Sequence, residues 1–343
     1  MRKLLNVLYV TSPEAYLARD GENVMVLVGE ETKIRIPIHN LEGIICFGYT
    51  GASPALMHLC VERGVSLSFH SESGRFLARV IGKASGNVLL RRRQYRISDN
   101  IDDSLGFARN FVFGKIFNSR CALQRFLRDH GDKGSFHEVH GSVVFLSSQL
   151  EKVMNCNNID VLRGIEGYAA RSYYGVLDNL ILGDKEKFQF TGRSRRPPRD
   201  PINAVLSYLY TLLAHDCSSA LETTGLDTQV GFLHRERPGR PSLSLDLMEE
   251  LRPYLVDRLA ISLINNRQIA PRDFVIKESG GVLMKEELRK TIIGAWQKRK
   301  REEIIHPFLR EKIPIGLIPY AQGMLLARHI RGDLDAYPPF LLR

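Results

Sequence analysis

The hydrophobic period of the chain changes once, near residue 100, and that change limits the fold more than any other feature. Before it, apolar residues come in short Val-, Ile- and Leu-rich runs: Leu4 to Val10, Val24 to Val28, Lys33 to Pro37, Gly43 to Cys46, Val65 to Phe69 and Arg75 to Ile81. Turn-forming stretches such as Asp20-Gly21-Glu22-Asn23 and Glu72-Ser73-Gly74 separate them, the pattern of short strands in sheets. One helix fits among them, with Ser53 as its cap and Pro54 in its first turn before Ala55-Leu56-Met57-His58-Leu59-Cys60. After the change, Phe107, Phe111, Ile116, Leu123 and Leu127 recur with helical spacing, and the chain reads as helical to its end. Two stretches interrupt it: a loop over Arg193 to Pro201, with Asp200 as N-cap and Pro201 as first helical residue, and a hairpin over Phe274-Val275-Ile276, Ser279-Gly280-Gly281 and Val282-Leu283-Met284. The expectation is an α+β chain of two domains. Residues 1–95 form an antiparallel β-sandwich with one helix, and residues 96–343 an all-α domain. The length of 343 residues, more than one compact core usually takes, agrees.

Composition excludes several classes of protein. At 44% apolar and 25% charged residues the chain is not a disordered one. No apolar run approaches the ~18 residues of a membrane-spanning helix. The opening Met1 to Val10 imitates a signal peptide, but its apolar stretch is short, polar-interrupted and without a small-residue cleavage site, so it reads as the first strand of a cytoplasmic protein. Five cysteines, at 46, 60, 121, 156 and 217, are an odd count without C-x-x-C spacing, which excludes a zinc ribbon and a disulfide framework and leaves buried thiols. The 48 Lys and Arg against 38 Asp and Glu give a net charge of +10, a balance that favours polyanions by counterion release. Basic residues gather at Arg91 to Arg96, Arg193 to Arg199 and Lys285 to Arg301, and each cluster also reads as a solvated face. In the second, Arg193, Arg195, Arg196 and Arg199 are ordered by prolines beside a helix N-terminus, which suits phosphate contact. In the third, Lys298-Arg299-Lys300-Arg301 is densest, while Trp296, Ile292 and Ile293 read as core.

Two segments carry candidate chemistry. On a helix read over Asp160 to Ile181, Leu162, Ile165, Ala169, Tyr173, Val176, Leu177 and Leu180 share one face, and Glu166 falls inside that apolar arc. A carboxylate there is costly to bury unless a cation or metal compensates it, and Gly164, Gly167, Ala169 and Ala170 leave room for one. The plain alternatives are a stripe edge open to solvent, or neutralisation by Arg163 or Arg171. The second segment runs from Gly231 to Glu250, where His234 in a turn precedes a helix bearing Asp246, Glu249 and Glu250. One imidazole with convergent carboxylates makes a hard, mostly oxygen site suited to Mg²⁺ or Mn²⁺. Asp246-x-x-Glu249 before an apolar run is equally a helix-capping box. An adjacent His215-Asp216 pair suggests a metal phosphohydrolase, with only His130, His137 and His140 as loose further ligands. His137-Glu138-Val139-His140 lacks the spacing of a zinc protease, and no phosphate-binding glycine loop of the nucleotide or dinucleotide type is present.

Four stretches in order resemble the CRISPR-associated protein one family, nearest its type I-C branch. They are Leu162 to Ala170, Arg195-Arg196-Pro197-Pro198-Arg199-Asp200-Pro201-Ile202-Asn203-Ala204 with Leu206-Ser207-Tyr208, Gly231 to Pro253, and Gly280-Gly281-Val282 with Leu288-Arg289-Lys290. The resemblance covers essentially the whole chain. It implies an N-terminal β-sandwich that dimerises, a helical catalytic domain, and a divalent metal, Mg²⁺ or Mn²⁺, held by Glu166, His234 and Glu249. Glu249 is preferred to its neighbour Glu250, and Asp246 is the supporting acid, behind a ligand or capping the helix. The implied activity is that of a DNA endonuclease and integrase of CRISPR adaptation, in which a spacer's 3′-hydroxyl attacks a phosphodiester at the repeat edge. The implied partners are double-stranded and branched DNA, a second copy of the chain and the CRISPR-associated protein two, with the Arg193 to Arg199 and Lys285 to Arg301 regions on the DNA backbone. A non-catalytic basic DNA-binding scaffold, with Glu166 in an ion pair, is the alternative.

Overall fold

A computed structural model describes residues 6–12, 14–48, 50–72, 76–82, 87–131, 136–183, 187–195 and 197–342. The chain divides into two compact units, Met1–Gly86 with Glu286–Gln297, and Asn87–Lys285 with Lys298–Arg343.

In the first unit, strands β1 (Asn6–Val10), β2 (Ala15–Asp20), β3 (Asn23–Val28), β4 (Glu31–Pro37), β5 (Leu41–Phe47), β6 (Gly51–Ala52), β7 (Ser66–His70) and β8 (Phe76–Val80) make two four-stranded sheets. Their orders are β1-β5-β7-β8 and β4-β3-β2-β6. Helix α1 (Pro54–Arg63) lies between β6 and β7 and starts as its residues dictate: Ser53 Oγ accepts the Leu56 N–H at 3.2 Å and Pro54 needs no donor. Leu17, Val24, Ile44, Leu56, Leu59 and Leu67 show that both sheets and α1 feed one core. The expected antiparallel arrangement is corrected here. Strands β1 and β5, β5 and β7, and β2 and β6 pair in parallel, so both sheets are mixed. For β5 and β7 the helix between them is the reason, since a helical crossover brings the chain back in the same direction. The single-helix expectation also fails, because residues 286–297 of α9 (Glu286–Arg301) belong to this unit.

The second unit holds α2 (Val88–Asp99), α3 (Ile101–His130), α4 (His137–Met154), α5 (Ile159–Gly175), α6 (Pro201–Thr223), α7 (Ser242–Leu251), α8 (Arg258–Asn265) and α10 (Ile318–Arg331). A boundary at 95 would cut the unbroken α2, and the units part before it. The unit is not all-α. It carries the expected hairpin as β9 (Phe274–Ile276) and β10 (Val282–Met284), and a second, unanticipated pair, β11 (Glu303–Ile305) with β12 (Lys312–Pro314). Asp200 caps α6 by accepting the Asn203 N–H at 2.7 Å, with Pro201 first in the helix. The helix read to Ile181 stops at Gly175, and Leu177–Leu180 form a separate 3₁₀ turn. Between α7 and α8, residues Arg252–Asp257 widen into a π-helical turn at Pro253, whose missing N–H breaks the α-helical ladder. All five cysteines are free thiols, and burial pushes Cys46 up to about 12 and Cys60 to about 11. Among the described residues no helix is long and apolar enough to cross a membrane.

Candidate active site

Three elements of the second unit bring charged side chains to one buried point: α3 supplies Lys115, α5 supplies Glu166, and α7 with its π-helical extension supplies Glu249 and Arg252. Lys115 sits in the apolar stripe of α3 beside Phe111, Val112 and Ile116, and its side chain is 10% exposed. Its ammonium binds Glu166 Oε1 and stands 2.7 Å from Glu249 Oε2. Arg252 reaches Glu249 Oε1 at 2.8 Å. The carboxylate in the apolar arc therefore does have a cation, and it is neither Arg163 nor Arg171. Arg163 is spent on Asp160 and the Leu233 carbonyl, and Arg171 lies over the Tyr168 ring. Glu166 keeps 26% of its side chain exposed, and open space surrounds the Cα atoms of Gly164 and Gly167.

His234 arrives from the loop before α7. Asp246 is fully buried and accepts the backbone N–H groups of Phe232, Leu233 and His234 at 2.6, 3.0 and 3.0 Å, and meets His234 Nδ1 at 2.6 Å. A carboxylate only accepts, so Nδ1 carries a proton toward Asp246, and Nε2 stands 3.7 Å from Glu249 Oε1. The capping reading of Asp246 fails, since α7 begins at Ser242 and Asp246 lies a full turn inside it. The loop approaches so closely that a Cβ on Gly231 would lie 2.8 Å from Asp246 Oδ2.

The two adjacent glutamates part company. Burial alone would raise Glu249, but Arg252, Lys115 and His234 outweigh it and hold the carboxyl down at about 2. Glu250 turns to the C-terminal segment, where Tyr337 Oη (2.5 Å), Gln322 Nε2 (3.0 Å) and the Phe340 N–H (2.9 Å) donate to it. Burial outweighs those donors and pushes it up to about 7. Behind Lys115, Tyr174 Oη meets Tyr210 Oη at 2.8 Å, Tyr210 donates to Asp257, and burial pushes Asp257 up to about 6.

The structure thus brings together Glu166, His234, Glu249 and Asp246, and adds Lys115, Arg252 and the Tyr174–Tyr210–Asp257 chain, which the sequence reading missed. Lys115 carried a usable signal, being a charge inside an apolar stripe just as Glu166 is. Among the described residues no three His, Cys, Asp or Glu side chains are spaced to grip a metal ion as they stand. An ammonium lies between the two glutamates instead. Two carboxylates and one imidazole nitrogen still fit a hard divalent cation, and Glu249 Oε2 is buried without a hydrogen bond of ordinary geometry.

The basic clusters divide by burial. Arg193 is turned inward, donating to Asn203 Oδ1 at 2.6 Å and Ser207 Oγ at 3.1 Å over the Tyr210 ring. Lys300 is 4% exposed and ion-paired with Asp216 at 2.8 Å, which removes it from a surface role and occupies half of the His215-Asp216 pair. Arg299 packs over Tyr254 and pairs with Glu302. Arg195, Arg199, Lys298 and Arg301 are exposed, and Arg196 lies outside the described residues. Trp296 is buried, as expected.

The family model for CRISPR associated protein Cas1 matches residues 8–298. CRISPR-associated endonuclease Cas1 1 of Chlorobaculum tepidum is 50% identical over 343 residues, the whole of both chains. CRISPR-associated endonuclease Cas1 2 of Rhodospirillum rubrum is 51% identical over 344, covering 99% of each. In fold the chain is similar to a casposase bound to integration product (TM-score 0.85, 21% identity, 99% of this chain and 95% of that one) and to a CAS1 protein from Thermotoga maritima (TM-score 0.81, 24% identity, 96% and 97%).

Proposed function

The chain belongs to the Cas1 family of CRISPR-associated proteins, and on that premise we propose that it is a divalent-metal-dependent DNA endonuclease and integrase of CRISPR adaptation. The observation that carries the reading is the convergence of Glu166 and Glu249 on Lys115, with His234 Nε2 3.7 Å from Glu249 Oε1. Glu166, Glu249 and His234 would hold Mg²⁺ or Mn²⁺, with Glu249 rather than Glu250 as the second carboxylate. When bound, the cation would polarise the phosphodiester and stabilise the entering and departing oxygens.

The chain's own residues prepare that site. Asp246 fixes an imidazole proton on Nδ1 and, through three backbone N–H groups, the loop that carries the ring. Arg252 keeps Glu249 ionised and aimed. The nucleophile belongs to DNA. A 3′-hydroxyl of the spacer forms a new P–O bond at the repeat edge, the repeat's own 3′-oxygen leaves, and the proton passes from one oxygen to the other. Exposed Arg195, Arg199, Lys298 and Arg301 suit contacts to the DNA backbone, which position without reading sequence. The partners that go with this reading are double-stranded and branched DNA, a second copy joined through the β unit, and Cas2.

The test is resealing of a flap-bearing branched DNA by purified protein in Mn²⁺, in Mg²⁺ and in chelator. Metal-dependent resealing, lost in Glu166→Ala and His234→Ala with DNA binding nearly intact, is expected. The Lys115 bridge gives one reason for a second reading, a DNA-binding scaffold in which the cluster is only structural. DNA binding without resealing in either metal would favour it, whereas wild-type turnover in either folded variant would overturn the metal-site assignment.

A further inference from the structure

Glu166 and Glu249 bring two negative charges to the site, and Lys115 and Arg252 bring two positive ones. Asp246 keeps a further negative charge beside His234, its oxygens held by three backbone N–H groups and the imidazole. The cluster carries no more than one net negative charge before any cation arrives, and the Lys115 ammonium already lies between the two carboxylates that a cation would meet. Lys115 is no roaming surface side chain. Its stem is fixed on α3 among Phe111, Val112 and Ile116, and the head has little access to water. A divalent cation added here leaves an excess of at least one positive charge in a poorly solvated place, which is costly unless an anion arrives with it. The DNA phosphodiester is that anion.

Resting on the metal-site reading above, we infer that Lys115 couples cation loading to DNA. Without DNA it serves as a built-in counter-cation that holds Glu166 and Glu249 in place and keeps a divalent ion out. With a phosphate present the added negative charge offsets the surplus, and the ammonium gives way. Lys115 is then a positioning residue whose effect is seen in cation affinity, apart from turnover.

The experiment measures free Mn²⁺ by electron paramagnetic resonance over the full-length protein, with and without branched DNA, after subtracting the Mn²⁺ that DNA alone holds. Wild type should bind Mn²⁺ at least about tenfold more tightly when DNA is present, a coupling of ordinary allosteric size. Lys115→Met should bind tightly without DNA and gain little from it. Lys115→Arg, which keeps the charge, should retain the coupling. Equal wild-type affinity with and without DNA overturns the inference while leaving the metal site standing, and that arm does not depend on any variant folding. Wild-type-like coupling in Lys115→Met overturns it as well. If wild type with DNA holds no Mn²⁺ beyond the DNA's own share, the metal-site reading falls and the inference with it.

Discussion

Buried acids decide more of this molecule's chemistry than their number suggests, because each is raised or lowered by neighbours that sequence order does not reveal. Asp257 shows the raised case. Burial lifts it from an ordinary 3.8 to about 6, against the Tyr210 hydroxyl and the charges of Arg252 and Arg193. A folded-state pKa above the unfolded one means that the native protein holds the proton more tightly, so the stability it lends is complete below pH 4 and is lost as pH rises toward 6. Glu250 acts with the same sign over a higher window, from 4.5 to about 7, and Glu249 with the opposite sign below 4.5. Asp257→Asn should therefore remove part of the fall in melting temperature between pH 4 and 6 and leave the fall above pH 6. Melts at half-unit pH steps check this, and an unchanged slope would mean that Asp257 does not titrate there. At this scale the sequence was partly legible. A carboxylate in an apolar stripe exposed Glu166, and the same argument applied to α3 would have found Lys115. Helix spacing alone left Glu249 and Glu250 unseparated, since Asp246 shares a helix face with both i+3 and i+4; the family resemblance preferred Glu249, and the C-terminal segment that claims Glu250 shows which partner each one meets.

Elements place these residues, and the tightest joint between them is the loop from Gly231 to His234 against the second turn of α7. Asp246 ties three consecutive backbone N–H groups of that loop, so the loop and the helix move as one. A Cβ at residue 231 would stand 2.8 Å from Asp246 Oδ2 and 2.9 Å from Ser242, neither of which can retreat without shifting helix or loop. Gly231→Ala should cost about 1–3 kcal/mol of stability from overpacking. It should also slow DNA resealing by about a hundredfold, because His234 is displaced with the loop. Urea melts and turnover at saturating DNA separate the two effects, and intact turnover would show that the loop adapts. Element boundaries were legible where caps wrote them: Ser53-Pro54 and Asp200-Pro201 start α1 and α6 as read. Strand β2 was missed because Ala15 to Asp20 has no β-branched residue, although Ala15 and Leu17 point into the core. Parallel pairing was also missed, since it depends on where a crossover returns the chain and not on the strand's own residues.

Over the whole molecule, a net charge of +10 predicts affinity for polyanions but says nothing of which charges provide it. Burial sorts them. Arg193 and Lys300 are spent inside the second unit, on Asn203 and Asp216, while Arg195 and Arg199 flank the start of α6 in the open. A charge that meets a phosphate releases counterions, so its removal makes affinity less dependent on salt, by nearly one unit of log–log slope per contact. A charge locked in a buried ion pair releases none, and its reversal leaves Asp216 facing a like charge. Arg195→Glu combined with Arg199→Glu should weaken DNA binding and flatten the salt slope by about two, with the melting temperature nearly unchanged. Lys300→Glu should do the reverse, lowering the melting temperature and leaving the slope of the folded fraction as it was. Binding isotherms across a salt series, read beside thermal melts, distinguish the pair. If the double variant kept the wild-type slope, the DNA contacts would have to be sought at Lys298, Arg301 and α2, and the proline-ordered loop would be a support for the start of α6 alone.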